Sequence, residues 1–377
     1  MARSHTVWIT DLELKLNPRV VVWPAGEWSG GDIADLPYLV SLENCTEGMR
    51  SRLPTARVAG DRTFSSMSAE ESGRVLAGDP DPADPCVCVA RTVRNFRRDS
   101  FVLRARAFAL AMGPRSLLMG IINVTPDSFS DGGRFFDPRS AVEHGLRLVS
   151  EGADILDVGG LSTRPGAEEI PVEEEVRRVV PVIEALVGKV EVPISIDTYR
   201  LEVAQEALAA GAAIINDITG LHAQPALAEL AAEHEAAIVL MHTLGSPRTM
   251  QQNPQYRDLM GEVTLYLREG MKTAAEAGIG TDRLVVDPGF GFGKRPEHNL
   301  ELLRRVAEFR SLGRPVMVGT SRKSTIGKIL DRPVTQRVWG TAATVAAARV
   351  AGALMFRVHD VAEIDQVRRM TDAIFGG

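Results

Sequence analysis

Met119–Asp131 reads Met-Gly-Ile-Ile-Asn-Val-Thr-Pro-Asp-Ser-Phe-Ser-Asp, an apolar strand that runs directly into a turn of Asn, Thr, Pro, Asp and Ser. A strand that ends this way holds a polar loop at a fixed place, which is how many scaffolds present chemistry. The pattern recurs along the chain. Continuous apolar runs lie at Leu117–Ile122, Ile155–Val158, Ile194–Ile196, Ala213–Ile218, Ala237–Met241, Leu284–Val286, Val316–Val318 and Ala353–Val358. Runs without alternation suit parallel strands covered on both faces. Between them the apolar spacing predicts helices over Ser140–Glu151, Val172–Val187, Leu201–Ala210, Ala226–Glu235, Tyr256–Ala277, Glu297–Ser311, Arg337–Ala351 and Val361–Ile374. Gly152, Gly211, Gly278 and Gly313 follow helices, where a C-terminal glycine is favoured.

Eight strand–helix units over roughly 260 residues match a (β/α)8 TIM barrel. A doubly wound open sheet is the alternative, but it would carry a glycine-rich dinucleotide loop after its first strand, and none stands there. The predicted fold is therefore α/β, a barrel over residues 115–377 preceded by a small α+β N-terminal extension over 1–114. The extension is irregularly patterned. Val20–Trp23 and Cys86–Ala90 predict short strands, the Pro/Asp-rich stretch Gly78–Pro85 a turn or linker, and Phe101–Met112 a helix ended by Gly113-Pro114. Its role is not readable from the sequence beyond packing or dimerisation.

A formal net charge of −6 argues against nucleic acid as a bulk partner, while leaving room for a small anionic ligand met by local basic groups. Three cysteines, Cys45, Cys86 and Cys88, form no disulfide framework and suggest a reducing compartment. Cys86-x-Cys88 has no matching His/Cys pair nearby, so a structural role outweighs a metal role. The N-terminus lacks an apolar signal core, and Ala342–Phe356 is interrupted by Arg349 and too short to span a bilayer. The expected location is the cytoplasm, with no membrane partner.

In such barrels the C-terminal strand ends carry the active site. Taken in order, those ends offer Asn123 and Asp127; Asp157 and Ser162-Thr163-Arg164-Pro165-Gly166; Asp197; Asn216 and Asp217; Met241 and His242; Asp287 to Lys294; Ser321-Arg322-Lys323-Ser324; and Arg357, His359 and Asp360. Asp197, Asn216 and Asp287 can grip a flat heterocycle that carries amino and ring N–H donors. Lys323, Arg322, Arg357, His359 and Thr163 suit phosphate, which the last two strands of this fold often bind. Asn123 can give an oxygen to Mg2+ bridging a diphosphate. Each residue alone has a plainer reading: a strand-end Asp is as often a helix N-cap, Ser321–Ser324 a solvated loop, and His242 structural. The concurrence of all of them at one end of consecutive strands favours a site.

At these residues the chain resembles the dihydropteroate synthase family. The matching segments are 119–133 (MGIINVTPDSFSDGG), 154–166 (DILDVGGLSTRPG), 194–198 (ISIDT), 214–218 (IINDI), 285–294 (VDPGFGFGK), 321–327 (SRKSTIG) and 357–361 (RVHDV), and together they cover essentially all of 117–377. The resemblance implies condensation of 6-hydroxymethyl-7,8-dihydropterin diphosphate with 4-aminobenzoate, giving 7,8-dihydropteroate and diphosphate with Mg2+ assistance, in folate biosynthesis. It implies that Asp197, Asn216, Asp287 and Lys323 hold the pterin, with Met241 and Phe292 lining its faces. Asn123, Thr163, Arg357 and His359 would hold diphosphate, Asn123 also the metal. Phe129, Thr163, Arg164, Pro165 and Ser324 would surround the aminobenzoate, where sulfonamides would compete. Asp197, Lys323, Arg357 and Asn123 would be the catalytic set, acting by dissociative displacement, and the assembly would be a homodimer through the late helices. Leu161 and Thr325 depart from the residues common at their positions, both near the aminobenzoate side. A corrinoid methyltransferase barrel would share the pterin grip but lack the Ser-Arg-Lys-Ser and Arg-x-His groups, and a decayed scaffold would have lost the strand-end charges.

Overall fold

The computed structural model describes residues 11–21, 38–124, 138–161, 170–245 and 249–376. The extension begins with helix α1 (Asp11–Leu16) and builds an antiparallel sheet from β1 (Arg19–Val20), β2 (Tyr38–Leu42), β3 (Arg57–Ala59) and β4 (Arg62–Met67), in the order β1-β2-β4-β3. Short helices α2 (Glu47–Arg50) and α3 (Ala69–Val75) flank it, and α4 (Pro85–Arg97) covers it. Leu16, Val40, Leu42, Met67, Cys88, Val89 and Val93 form a core separate from that of the barrel.

Two sequence expectations are corrected in this region. Cys86–Ala90 is not a strand but lies in α4. Asp84 caps the helix by accepting from the Cys86 amide, Pro85 supplies a fixed φ in the first turn, and the buried set 87–90, 92 and 93 is a helical face. Phe101–Met112 is not a helix but a hairpin of β5 (Phe101–Ala105) and β6 (Phe108–Met112). Its alanines favour helix locally, but Phe101, Leu103 and Ala105 are buried while Val102 and Arg104 are exposed, a period of two. The buried face joins Leu117, Met119, Ile155, Ile214, Val239, Val285, Met317 and Met355 in one cluster, so the hairpin forms the floor of the barrel.

The barrel strands are β7 (Leu117–Asn123), β8 (Ile155–Gly159), β9 (Ile194–Asp197), β10 (Ile214–Asp217), β11 (Ala237–Met241), β12 (Leu284–Asp287), β13 (Met317–Val318) and β14 (Met355–Val358). They pair in parallel in the order β12-β11-β10-β9-β8-β7-β14-β13, and a parallel bridge between Val286 and Val316 closes the ring. Helices α5 (Pro138–Ser150), α6 (Val172–Leu186), α7 (Leu201–Ala209), α8 (Ala226–Glu233), α9 (Leu259–Glu276), α10 (Pro296–Arg305), α12 (Val338–Val350) and α13 (Val361–Phe375) alternate with them. A further helix, α11 (Ser324–Leu330), opens at the Ser321–Ser324 loop and was not read from the sequence. Outward-facing strand residues such as Leu118, Leu156, Ile196, Ile215, Ile238 and Val286 pack under these helices in the main core. Among the described residues no helix is long and apolar enough to cross a membrane.

The extension docks on α9 and the turn after α10. Arg268 of α9 is buried and donates to the Glu13 and Pro18 carbonyls, and Arg19 reaches Glu308 at 3.2 Å.

Candidate active site

Strand parity decides what faces the barrel interior. Met119, Ile155, Ile214, Val239, Val285 and Met355 fill it, and side chains two residues apart on a strand share a face. Counting by twos toward the C-terminal rim reaches Asn123, Asp157, Asp197 (through Ser195), Asn216, Met241, Asp287 and Arg357. One mouth thus receives a layer that the apolar interior supports from below. Asp217 has the opposite parity: its carboxylate accepts from the Thr219 and Leu221 amides and shapes the turn after β10.

Arg357 ties the layer together. Its Nε donates to Asp157 Oδ2 at 2.6 Å and its Nη2 to Asp197 Oδ2 at 2.5 Å, while Asn216 Nδ2 donates to the same Asp157 oxygen at 3.1 Å. Asp157 is fully buried, whereas the Arg357 and Asp197 side chains keep 21% and 16% of their exposure and so remain reachable from the mouth. Burial works against the Arg357 charge, but Asp157 and then Asp197 outweigh it and hold its pKa above the usual arginine value. Burial pushes the Asp197 carboxyl up to about 7, against the pull of Arg357. Burial also raises Asp287, which Lys323 partly offsets. Lys323 is pulled down by burial to about 8 despite the opposing attraction of Asp287.

The loop after β12 makes the pocket wall. Gly289, Gly291 and Gly293 all have positive φ, and two of them are required by a close neighbour. A Cβ at Gly289 would collide with the His242 carbonyl, and one at Gly293 would come within 2.6 Å of Leu244. Lys323 donates to the Phe290 carbonyl, and its ammonium sits over the Phe292 ring, 4.6 Å from the centroid. Buried Lys294 supports the loop from behind, bonding the Gly289 and Phe292 carbonyls at 3.0 Å each and His242 Nδ1 at 2.7 Å. Burial holds the pKa of Lys294 well down, and burial followed by Lys294 does the same to His242. His242 is therefore a neutral structural acceptor, as its plainer reading held.

Around strands β13 and β14, His359 Nδ1 lies 3.0 Å from Ser321 Oγ, and Arg322, at φ +59°, is occupied by an ion pair with Asp360. Arg322 is thus a loop fastener rather than a group offered to an anion. Ser324 is exposed at the start of α11, beside Lys323. Thr325 is buried and accepts from Asn299 Nδ2 at 2.9 Å; Asn299 Oδ1 in turn accepts from the Gly291 amide at 2.8 Å. Phe129, Thr163, Arg164 and Pro165 lie outside the described residues.

Sequence reasoning listed Asp157 without giving it a role, and it missed the Asn299 and Lys294 supports. For Asp157 the signal was strand parity, which makes it an inward carboxylate two residues past Ile155. For Lys294 it was a lysine ending a glycine-rich loop. Among the described residues no three His, Cys, Asp or Glu side chains converge as a metal cage.

Acids and bases meeting at the C-terminal mouth of a closed parallel barrel define an active site of the barrel-enzyme class. Residues 119–359 match the family described as pterin binding enzyme. The chain is 47% identical over 264 residues to dihydropteroate synthase of Synechocystis sp., covering 70% of this chain and 91% of that one. It is similar to the Yersinia pestis dihydropteroate synthase solved in complex with a sulfonamide drug, at 42% identity and TM-score 0.69, covering 74% of this chain and all of the other. It is likewise similar to the Xanthomonas albilineans dihydropteroate synthase solved with 4-aminobenzoic acid, at 46% identity and TM-score 0.68, covering 73% and 98%. The chain belongs to the dihydropteroate synthase family, a family of transferases.

Proposed function

We propose that this chain joins 6-hydroxymethyl-7,8-dihydropterin diphosphate to 4-aminobenzoate, releasing 7,8-dihydropteroate and diphosphate, with the described rim residues in the roles the family resemblance implies. The observation that carries the reading is Arg357 bridging Asp157 and Asp197 at the same mouth as Lys323 and Asp287. Asp287 and Asn216 face the amino and ring N–H groups of the pterin, Met241 and Phe292 line its faces, and Lys323 reaches its edge. The bond from the exocyclic methylene to the diphosphate oxygen breaks, and the electron pair leaves with the diphosphate. The Asp197 carboxylate opposes the positive charge that develops on the pterin, in a pocket where water does not screen it. The lone pair of the arylamine then closes the C–N bond and its surplus proton passes to solvent. Because the amine is neutral at pH 7, no strong base is needed, which fits a site where burial, then Lys294, lowers the pKa of His242.

Arg357 and His359 receive the departing anion, with Thr163. Asn123, at the end of β7, would give its amide oxygen to a Mg2+ ion, a hard cation that takes oxygen ligands. When bound, that ion offsets the charge of the leaving group. Phe129, Thr163, Arg164, Pro165 and Ser324 are assigned to the aminobenzoate, and sulfonamides would compete there. Exposed Ile329, Trp339, Met370 and Phe375 on α11 to α13 support a homodimer through this face, and the expected location is the cytoplasm.

Diphosphate release measured with and without 4-aminobenzoate tests the reaction: release should depend on the amine. Asp197→Asn and Arg357→Ala should each lower turnover at least about tenfold. Binding of the pterin diphosphate without amine-dependent release, or loss below tenfold in both variants, refutes the assignment.

A further inference from the structure

We propose that the N-terminal extension is a clamp on the loop after β11, and that through this loop it positions the glycine-rich wall carrying Phe292 beside Lys323. Asp258 and Arg62 are the positioning residues.

The contacts form one continuous chain. Asp258 stands at the N-terminal end of α9, where an Asp ordinarily caps its own helix. Here its side chain makes no cap bond. The carboxylate instead points at the extension, where Arg19 Nη2 lies 3.1 Å from Oδ2 and Arg62 also pairs with it. Glu43 sits 3.4 Å from Arg62 and 3.6 Å from Arg19, and Arg19 continues to the fully buried Glu308. Gly261 is shaped for this junction: a Cβ there would collide with Asp258 and Glu43, and its carbonyl accepts from Asn17 of the extension at 2.9 Å. Burial lowers the pKa of Arg19 and of Arg62, and the neighbouring carboxylates oppose that shift. The Arg19–Glu308 pair is buried and anchors the part-buried pairs of Asp258, Glu43 and Arg62, a network that fixes geometry more than it stabilises the fold.

Two residues before Asp258, Tyr256 donates from its hydroxyl to the Gly293 carbonyl at 2.8 Å, and its ring meets His298 edge-on at 5.1 Å. Gln251 donates to the Gly291 carbonyl at 2.7 Å. These bonds fasten the loop after β11 to the glycine wall on which the Lys323 stem rests, 3.0 Å from where a Gly291 Cβ would lie. The barrel therefore holds one side of its pocket from the extension, across residues more than 190 positions apart in sequence, as Arg62 and Asp258 are.

This inference rests on the pterin reading of that wall, and its consequence is selective: loosening Asp258 should weaken the pterin side and spare the aminobenzoate side. The test uses the full chain with Asp258→Asn, Arg62→Ala, Arg62→Lys and Ser72→Ala. Ser72 bonds the Ala90 carbonyl at 2.7 Å inside the extension core, away from Asp258, so its loss weakens the extension without touching the clamp. Asp258→Asn and Arg62→Ala should raise KM for the pterin diphosphate about fivefold or more, the size of a modest coupling between sites, with KM for 4-aminobenzoate unmoved. Arg62→Lys should restore much of the loss, and Ser72→Ala should leave both constants in place. Amide exchange over 249–258 and 289–293 should quicken in Asp258→Asn whatever the reaction proves to be, so the clamp and the pterin reading can fail separately. Equal shifts in both KM values, an equal effect of Ser72→Ala, or unchanged exchange in the glycine wall overturns the clamp.

Discussion

Asp157→Asn is the most revealing single change in the barrel mouth. The carboxylate is fully buried, and one oxygen accepts from both Arg357 Nε and Asn216 Nδ2. The amide is the same size, so neither a cavity nor a clash is added, and what is lost is one negative charge facing a guanidinium. Removing one partner of a buried pair costs about 3–5 kcal/mol when the other charge is stranded. Arg357 is not stranded, because Asp197 remains at 2.5 Å and its side chain is 21% exposed. The expected loss therefore sits at or below the lower end, about 2–3 kcal/mol. For a chain of 377 residues that corresponds to a fall in Tm of roughly 3–4 °C. The kinetic effect should be larger in proportion. With the charge at position 157 gone, Arg357 is held there only by a neutral acceptor and is less firmly placed, and a misplaced catalytic group costs about 100-fold in turnover. The Asp197 carboxyl, relieved of a neighbouring negative charge, should ionise at lower pH than in the parent chain. Thermal unfolding, diphosphate release and the pH profile of kcat/KM read these three effects independently. A Tm within about a degree of the parent together with kcat/KM within about threefold would refute the bridge as the organiser of the site.

The remaining predictions concern charge and assembly. The pH profile of kcat/KM should be a bell, since Asp197 must lose its proton near pH 7 to oppose a cation and Lys323 loses its charge above about pH 8. The limbs belong to the interacting set, so Asp197→Asn should flatten the acid limb and Lys323→Arg should carry the alkaline limb upward; a flat profile from pH 6 to 9 counts against both assignments. Trp339 is 76% exposed on α12, beside other uncovered apolar groups. Trp339→Glu should convert a sedimenting dimer to monomer with its fold retained, and a parent chain already monomeric at micromolar concentration removes the dimer proposal.

The barrel was legible because parallel strands buried on both faces leave uninterrupted apolar runs, and because the rim residues sit at one predictable position past each run. The polar layer was legible for the same reason: Asp197, Asn216, Asp287 and Arg357 are the last inward positions of their strands. The extension was not. Its strands are short and paired across long gaps; the β5–β6 hairpin took the conformation its tertiary surroundings demanded, while α4 starts at the Asp84-Pro85 cap, a signal the apolar run Cys86–Ala90 obscured. Nor could the Arg357–Asp157 bridge be read, since the two stand 200 residues apart and only ring closure makes them neighbours. The expectations for Phe129, Thr163, Arg164 and Pro165 fall on segments outside the described residues. Helix α11 escaped notice because its seven residues are too few for periodicity to show.

The charge arrangement makes a single argument of the site. Among the described residues Asp157, Asp197 and Asp287 lie with Arg357 and Lys323, and burial raises the pKa of Asp197 and of Asp287 against the pull of those cations. On the proposed reaction, carboxylates placed there would oppose the positive charge that forms on the pterin when diphosphate leaves. Asp157, sealed from the mouth, fixes Arg357 Nε while Nη2 bonds Asp197, so the guanidinium and that carboxylate are held together at the rim in one geometry.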